Sequence, residues 1–334
     1  MIRYETTYAG LTLKSPLIVG SSGLTNSARR NLEFEKAGAG AIVLKSLFEE
    51  QMEMQSDALM HVGDAPDAAE YIQGYVKALQ MEKYLSLIED TKKNGSIPVI
   101  ASINCYKIDA WVDFAVQMEA AGADALELNV FYLYTDLDFR PGEAAELYVS
   151  ILRKVKARVS VPVIVKIGKN FCNIPALVNQ LKLNGADGVV LFNRYYQPDI
   201  NIHAMQIVSG QVFSSHSDLS ETLRWTAFVS GKVPGISIAS STGVHDWEDV
   251  VKCLLAGASA VQLCSILYTH GAEIIPQMLN CMEEWMLRTK YRAIDEFIGK
   301  LNFANVENHT LYERSQFMKY FSSRDGGNEY TKKQ

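Results

Sequence analysis

Hydrophobic and polar positions along the chain fall into two alternating local patterns. In the first, an amphipathic run ends in Gly-Ala and passes straight into a short apolar stretch: EKAGAGAIVLKS, EAAGADALELN, KLNGADGVVLFN and LLAGASAVQLCS. Glycine supplies the left-handed residue that ends a helix, and the apolar run after it reads as a strand. In the second, a proline precedes the apolar stretch: SPLIVGSS, IPVIASIN, VPVIVKIG and VPGISIASS. Interleaved, they predict eight strands near Leu17–Gly20, Ala41–Lys45, Val99–Ser102, Ala125–Asn129, Val163–Lys166, Val189–Asn193, Ile236–Ser240 and Ala260–Cys264. Near-continuous apolar strands mark a parallel sheet covered on both faces. Stretches such as AWVDFAVQMEAAG and CNIPALVNQLKLNG, with helical apolar spacing, predict helices between them. This α/β alternation closes most naturally into a (β/α)8 TIM barrel, with an open doubly wound sheet as the rival.

In a barrel the active site lies at the C-terminal ends of the strands. Those ends carry Ser21, Lys45, Ser102, Asn129, Lys166, Asn193, Ser240 and Ser265. Long connections over a barrel mouth act as lids or binding loops. The longest here, a lid-like insertion at about 48–96, is acidic and Met-rich, and shorter excursions (FYLYTDLDFRPGE and RYYQPDINIHAMQIVSGQVFSSHS) follow strands four and six. After strand eight, EIIPQMLNCMEEWMLRTKY and AIDEFIGKL read as helices. One barrel domain over 1–321 and a disordered tail over 322–334 complete the expected organisation.

Composition narrows the function classes. With 48% hydrophobic and 21% charged residues, the 334-residue chain is an ordinary globular protein, not a disordered or disulfide-scaffold one. A net charge of −6 argues against a nucleic-acid partner. Its five cysteines are scattered with no C-x-x-C pair, which predicts a reduced, cytoplasmic setting and no metal site built on cysteine. The N-terminus lacks the order of a signal peptide, and no apolar run is long enough to span a membrane. The six histidines (His61, His203, His216, His245, His270 and His309) show no metal-ligand spacing, and none ends a strand.

Two lysines carry the clearest chemistry. A lysine ending a barrel strand can point its ammonium into the mouth and stabilise a developing anion, or form a Schiff base if burial lowers its pKa. Lys166 and Lys45 both qualify, and Glu127 shares the inward parity of Asn129 that would let it pair with a buried lysine. Barrels often bind phosphate at the loops after strands seven and eight. Ser240, Ser241, Thr242 and Gly243, with Cys264 and Ser265, supply the small, donor-rich residues this needs.

The order of LIVGSSG, AIVLKS, ELN, VPVIVKIG, LFN, SSTGV and GASAVQLCS resembles that of the motifs in the dihydroorotate dehydrogenases, most closely the class 1 enzymes without a membrane-associating extension. YRAIDEFIGKL is also similar to that family's C-terminal helix. The resemblance implies a (β/α)8 barrel that holds FMN, oxidises dihydroorotate to orotate in pyrimidine synthesis, and assembles as a homodimer. It implies that Ser21, Ser22 and Gly23 lie beside the flavin, that Lys45 and Ser46 form the family's K-S pair, and that Asn129 is the E-L-N asparagine. Lys166 then matches the lysine near the flavin N1–C2=O edge, and Asn193 the asparagine that meets flavin and substrate. Ser240–Gly243 and Cys264–Ser265 match the segments at the FMN phosphate. Reduced flavin carries negative charge near N1, so a cation there suits it.

The departures gather on the substrate side. Tyr132 occupies the position of the family's Cys or Ser base, where a phenol of ordinary pKa near ~10 is a poor base at neutral pH. Tyr134 replaces a second asparagine, Ser214-Ser215 stands where a glycine pair is expected, and the N-S-M-G-L-x-N loop has no match between Lys45 and Ser102. The expectation is therefore an FMN oxidoreductase acting on a CH–CH bond, with Lys166, Tyr132 and Asn129 as catalytic residues and Lys45, Asn129 and Asn193 at a divergent substrate site. The alternatives are an FMN enzyme for another ring or enoate, a Schiff-base aldolase using Lys166, or a non-catalytic flavin-binding protein. The expected partner is a small-molecule substrate.

Overall fold

The computed structural model describes residues 2–60, 69–105, 108–140 and 142–313. The tail expected at 322–334, His61 and part of the lid-like insertion lie outside these residues. Eight parallel strands form the centre: β1 (Leu17–Val19), β2 (Ala41–Val43), β3 (Val99–Asn104), β4 (Ala125–Asn129), β5 (Val163–Ile167), β6 (Gly188–Leu191), β7 (Ser237–Ser241) and β8 (Ala260–Leu263). Each pairs with the next, and β8 returns to β1 with Val261 opposite Leu17. The fold is a closed (β/α)8 barrel, and closure rules out the open sheet.

Around it run α1 (Ala28–Ala37), α2 (Glu49–Met60), α3 (Ala69–Asn94), α4 (Ile108–Ala120), α5 (Glu143–Lys156), α6 (Ile174–Leu183), α7 (His216–Lys232), α8 (Trp247–Ala256), α9 (Ser265–His270) and α10 (Ile274–Arg288). The Gly-Ala pattern does what the sequence predicts. Gly38 ends α1 at φ 110°, a conformation closed to most side chains, and the N–H of Ala39 turns back to the Phe34 carbonyl at 3.1 Å. Ala123, Ala186 and Ala258 repeat this bond to Met118, Leu181 and Cys253.

Period-two alternation sorts the strand residues. Ile18, Val43, Ile100, Ala125, Ile164, Val190, Ala239 and Ala260 point inward and form one apolar layer. Two residues further along, the inward positions turn polar at Ser102, Glu127, Lys166, Ser241 and Gln262, all buried. Intervening residues such as Val165, Val189, Ile238 and Leu263 pack outward against the helices.

Several elements differ from the expectation. An N-terminal hairpin (Thr6–Tyr8 with Leu11–Leu13) inserts Tyr8, Ala9 and Leu13 into the barrel's apolar layer. The insertion after β2 is helical: α2 and α3 follow a short strand, Leu47–Phe48, that pairs with Ile103–Asn104. The excursion after β6 folds as a second hairpin, Pro198–Asn201 with Gln206–Ser209. AIDEFIGKL is not a helix beyond the short turn Ile294–Glu296. Two of its backbone donors serve another element instead: Gly299 and Leu301 donate to the carbonyls of Leu254 and Leu255 at the end of α8.

Candidate active site

At the C-terminal mouth the strands surround a cavity of about 490 Å³, within the range of small-molecule and cofactor sites. Lys166, from the end of β5, lines it. Beneath the cavity lies a buried trio. The Lys166 ammonium is 3.5 Å from Glu127 Oε1 and donates to Gln262 Oε1 at 3.2 Å, while Gln262 Nε2 donates to Glu127 Oε2 at 2.6 Å. Glu127 is wholly buried, so a charge there requires this cation and this amide. An ammonium carries three N–H donors, and the bond to Gln262 uses one of them.

A second polar run crosses the rim from β1 to β6. The Ser46 hydroxyl lies 3.0 Å from that of Ser21 and 2.7 Å from that of Ser102, and it accepts from Asn129 Nδ2 at 3.2 Å. Asn193 Nδ2 then donates to Asn129 Oδ1 at 2.5 Å. Tyr84 of α3 locks the outer side, its hydroxyl donating to the Ser102 carbonyl and accepting from the Ser102 N–H. The helical insertion is thereby tied to the barrel rim.

The far end of the cavity is made by the loops after β7 and β8, where Ser241, Thr242, Gly243, Cys264 and Ser265 all line it. Thr242 takes φ 83°, an uncommon conformation for a residue with a Cβ, and its hydroxyl donates to the Phe192 carbonyl at 3.2 Å. Ser265 Oγ accepts from the Ser214 N–H at 3.0 Å, and Ser214 Oγ lies 3.1 Å from His245 Nε2. Burial and the neighbouring His216 ring hold the His245 imidazole below its usual range, with Asp249 opposing. Burial pushes the Cys264 thiol up, with Lys166 opposing. His216, Asp246 and Asp249 bring ligand-type atoms within 4.8 Å of one another. Local structure already uses two of them: Asp246 caps α8 through the Asp249 N–H, and Asp249 binds Lys252 and the His245 N–H.

Of the residues singled out from the sequence, Ser21, Ser22, Lys166, Asn193, Ser241, Thr242, Gly243, Cys264 and Ser265 meet in this cavity. Ser46 and Asn129 join it through hydrogen bonds. The remaining four lie elsewhere. Ser240 has outward parity and bonds Thr226 of α7 at 2.8 Å. Lys45 lies past the end of β2, is exposed, and lines a separate cleft of about 180 Å³ with Lys83 and Gln51. Gly23 opens a helical turn capped by Ser22. Tyr132 is 47% exposed, its ring 4.6 Å from that of Tyr134 at a tilt of 44°, and outside the cavity lining.

Sequence reasoning missed Gln262, Arg194 and Tyr195. Gln262 was legible, two residues after inward Ala260. Arg194 and Tyr195 lie beyond the end of β6, where strand parity no longer applies, and both line the cavity. The Arg194 guanidinium donates to the Gln211 and Val212 carbonyls at 2.8 and 2.6 Å, which ties the two ends of the second hairpin together.

Taken together, the mouth offers a cation over a buried carboxylate, a pair of asparagine amides, and a distal loop pair of small hydroxyl residues. It suits an elongated ligand with an electron-rich ring near Lys166 and a polar terminus at the β7 and β8 loops. A family model described as dihydroorotate dehydrogenase matches residues 3–286. The dihydroorotate dehydrogenase B (NAD(+)) catalytic subunit of Thermoplasma acidophilum is 27% identical over 308 residues, covering 90% of this chain and 99% of its own. Proteins of the same name from Methanosarcina acetivorans and Pyrococcus furiosus are 29% and 26% identical, each covering 87% of this chain and 93% and 96% of their own.

Proposed function

Since the chain belongs to the dihydroorotate dehydrogenase family, we propose that its barrel mouth holds FMN and that it converts dihydroorotate to orotate. It is an oxidoreductase acting on a CH–CH bond. A bound flavin supplies the two-electron acceptor, and this chain's residues hold and orient it. The observation that carries the reading is Lys166, which faces the cavity with its charge anchored by Glu127 and Gln262. That placement fits a flavin edge that gains negative charge on reduction. Ser241 to Gly243 and Cys264 to Ser265 would hold the phosphate, and Ser21 and Ser22 would flank the ring. Asn129 and Asn193, held together by their own hydrogen bond, would present amides to flavin and substrate.

Tyr132, at the position of the family's base, lies outside the cavity, and Tyr134 and the loop after Lys45 also depart from the family, so dihydroorotate should turn over slowly. The test starts from the purified protein. It should be yellow, and chromatography of the released cofactor should show FMN. Dihydroorotate added without oxygen should bleach the flavin, and orotate should accumulate when fumarate, a quinone or NAD+ is supplied. Protein that takes up no flavin, or flavin that dihydroorotate leaves oxidised, would overturn the reading.

A homodimer acting in the cytoplasm completes the proposal. Ile200, Ile202, Met205 and Ile207 are exposed on the second hairpin and offer an apolar face to a second copy, which light scattering would detect. Among the described residues no helix is long and apolar enough to cross a membrane.

A further inference from the structure

We propose that Tyr195, rather than Tyr132, is the catalytic residue that exchanges a proton with the substrate carbon adjacent to the one that exchanges hydride. The proposal rests on the CH–CH reading above. Two segments, the loops after β4 and β5, converge to seat this phenol. Its hydroxyl donates to Asn170 Oδ1 at 2.8 Å, and its ring lies 4.6 Å from that of Phe131 in the loop after β4. Its third neighbour is Gly168, two residues beyond Lys166. A Cβ at Gly168 would fall 2.0 Å from the Tyr195 hydroxyl and 2.6 Å from the ring, so any larger residue would displace the phenol. Gly168 has no left-handed backbone to explain it, so the space for Tyr195 is what requires glycine there.

Tyr195 shares the 490 Å³ cavity with Lys166 and Asn193, and Tyr132 does not. Burial pushes its phenol above the usual tyrosine range, with the Asn170 bond opposing. The resting group is therefore a neutral phenol, the form that gives a proton. Tyr196 and Tyr268 also line the cavity, but they are 60% and 43% exposed and no bond to Asn170 or niche at Gly168 seats them.

The step balances as follows for dihydroorotate. In oxidation the phenol first gives its own proton to solvent, a step favoured by raising the pH, and the phenolate oxygen then takes the proton of C5 as the C5–H bond breaks. The C6–H bond breaks with its electron pair, which leaves as hydride to the flavin, and C5=C6 forms. In reduction the phenol O–H bond breaks and C5 takes the proton as C6 takes hydride. Asn170 can serve both charge states, because its Oδ1 accepts from the phenol and its amide can turn Nδ2–H toward the phenolate.

The experiment uses the flavin-loaded protein and the variants Tyr195→Phe and Tyr132→Phe. Loss of a general acid–base group costs about 10²–10⁴-fold. Tyr195→Phe should slow flavin reduction by dihydroorotate by that factor and leave oxidation of dithionite-reduced protein by ferricyanide unchanged, since that transfer needs no proton on carbon. Tyr132→Phe should match the unaltered protein in both assays. A readout independent of turnover is nitration by tetranitromethane, mapped by peptide mass: orotate should shield Tyr195 and leave exposed Tyr132 reactive. Unchanged dihydroorotate oxidation in Tyr195→Phe, the loss falling on Tyr132→Phe, or no shielding of Tyr195 would each overturn the proposal. If the unaltered protein ignores dihydroorotate yet reduces a cyclic enone or an unsaturated acid, the substrate reading falls. Loss of that reduction in Tyr195→Phe then upholds the proposal, and its survival overturns it. Inertness toward all these substrates overturns both.

Discussion

Lys166 and Glu127 form the most deeply buried ion pair among the described residues, since the Glu127 side chain has no exposed surface and that of Lys166 little. Removing one partner of a buried ion pair leaves the other charge unpaired, at a cost of about 3–5 kcal/mol. Lys166→Met should lose that much in urea unfolding. Lys166→Met with Glu127→Gln should recover most of it, because an amide needs no counter-charge and Gln262 still reaches it. Equal instability in the single and double variants would show that Lys166 acts through packing alone. This pair was legible from the sequence, because both residues stand on the inward parity of predicted strands. The same parity separates Ser241, which reaches the cavity, from Ser240, which turns to Thr226. Position at a strand end indicates only that a residue is near the mouth, whereas odd or even position decides which way it points.

At the scale of elements, the Gly-Ala-Asp motif has a second role beyond ending helices. The Asp124 and Asp187 carboxylates accept the N–H of Val99 and Val163, each at 2.7 Å, and so fix the first residue of β3 and of β5. Each also holds a lysine from the helix before the preceding one, Lys92 of α3 at 2.7 Å and Lys156 of α5 at 2.6 Å. One short side chain thus sets strand register and helix position together. Asp187→Ala should cost about 1–2 kcal/mol, the lower part of the range for bonds to a charged group, because solvent screens the lysine. Amide exchange at Val163 should quicken with it, and unchanged exchange and melting would sink the idea. The Gly-Ala-Asp spacing could be read from the sequence, and its hydrogen-bond partners could not. Helix α3 and the second hairpin escaped for a different reason. Both strands of that hairpin are largely exposed, so burial imposes little hydrophobic pattern on them, and only a repeated pattern makes an element visible from composition.

For the whole molecule, closure of eight strands leaves the barrel open at two ends, and the structure treats them differently. The N-terminal hairpin closes the far end with Tyr8, which is wholly buried against Ile18, Ile164 and Val190. Truncating a buried aromatic side chain costs about 3–5 kcal/mol. Tyr8→Ala should lower the unfolding midpoint by that amount and leave the flavin spectrum and affinity unchanged, since the plug lies below the polar layer. A matching loss of flavin affinity would show that the two ends are coupled. The sequence by itself determined the number and order of the barrel strands, the turns that end the helices, and the inward polar layer that includes Lys166. These follow from hydrogen-bonded geometry repeated every few residues, which leaves its period in the chain. Only the tertiary structure decided that Tyr195 and Arg194 line the cavity while Tyr132 and Lys45 lie outside it. Beyond the last ladder bond of a strand no local period governs where a side chain points. There the direction comes from contacts between segments far apart in sequence, as where Gly168, Asn170 and Phe131 together receive Tyr195.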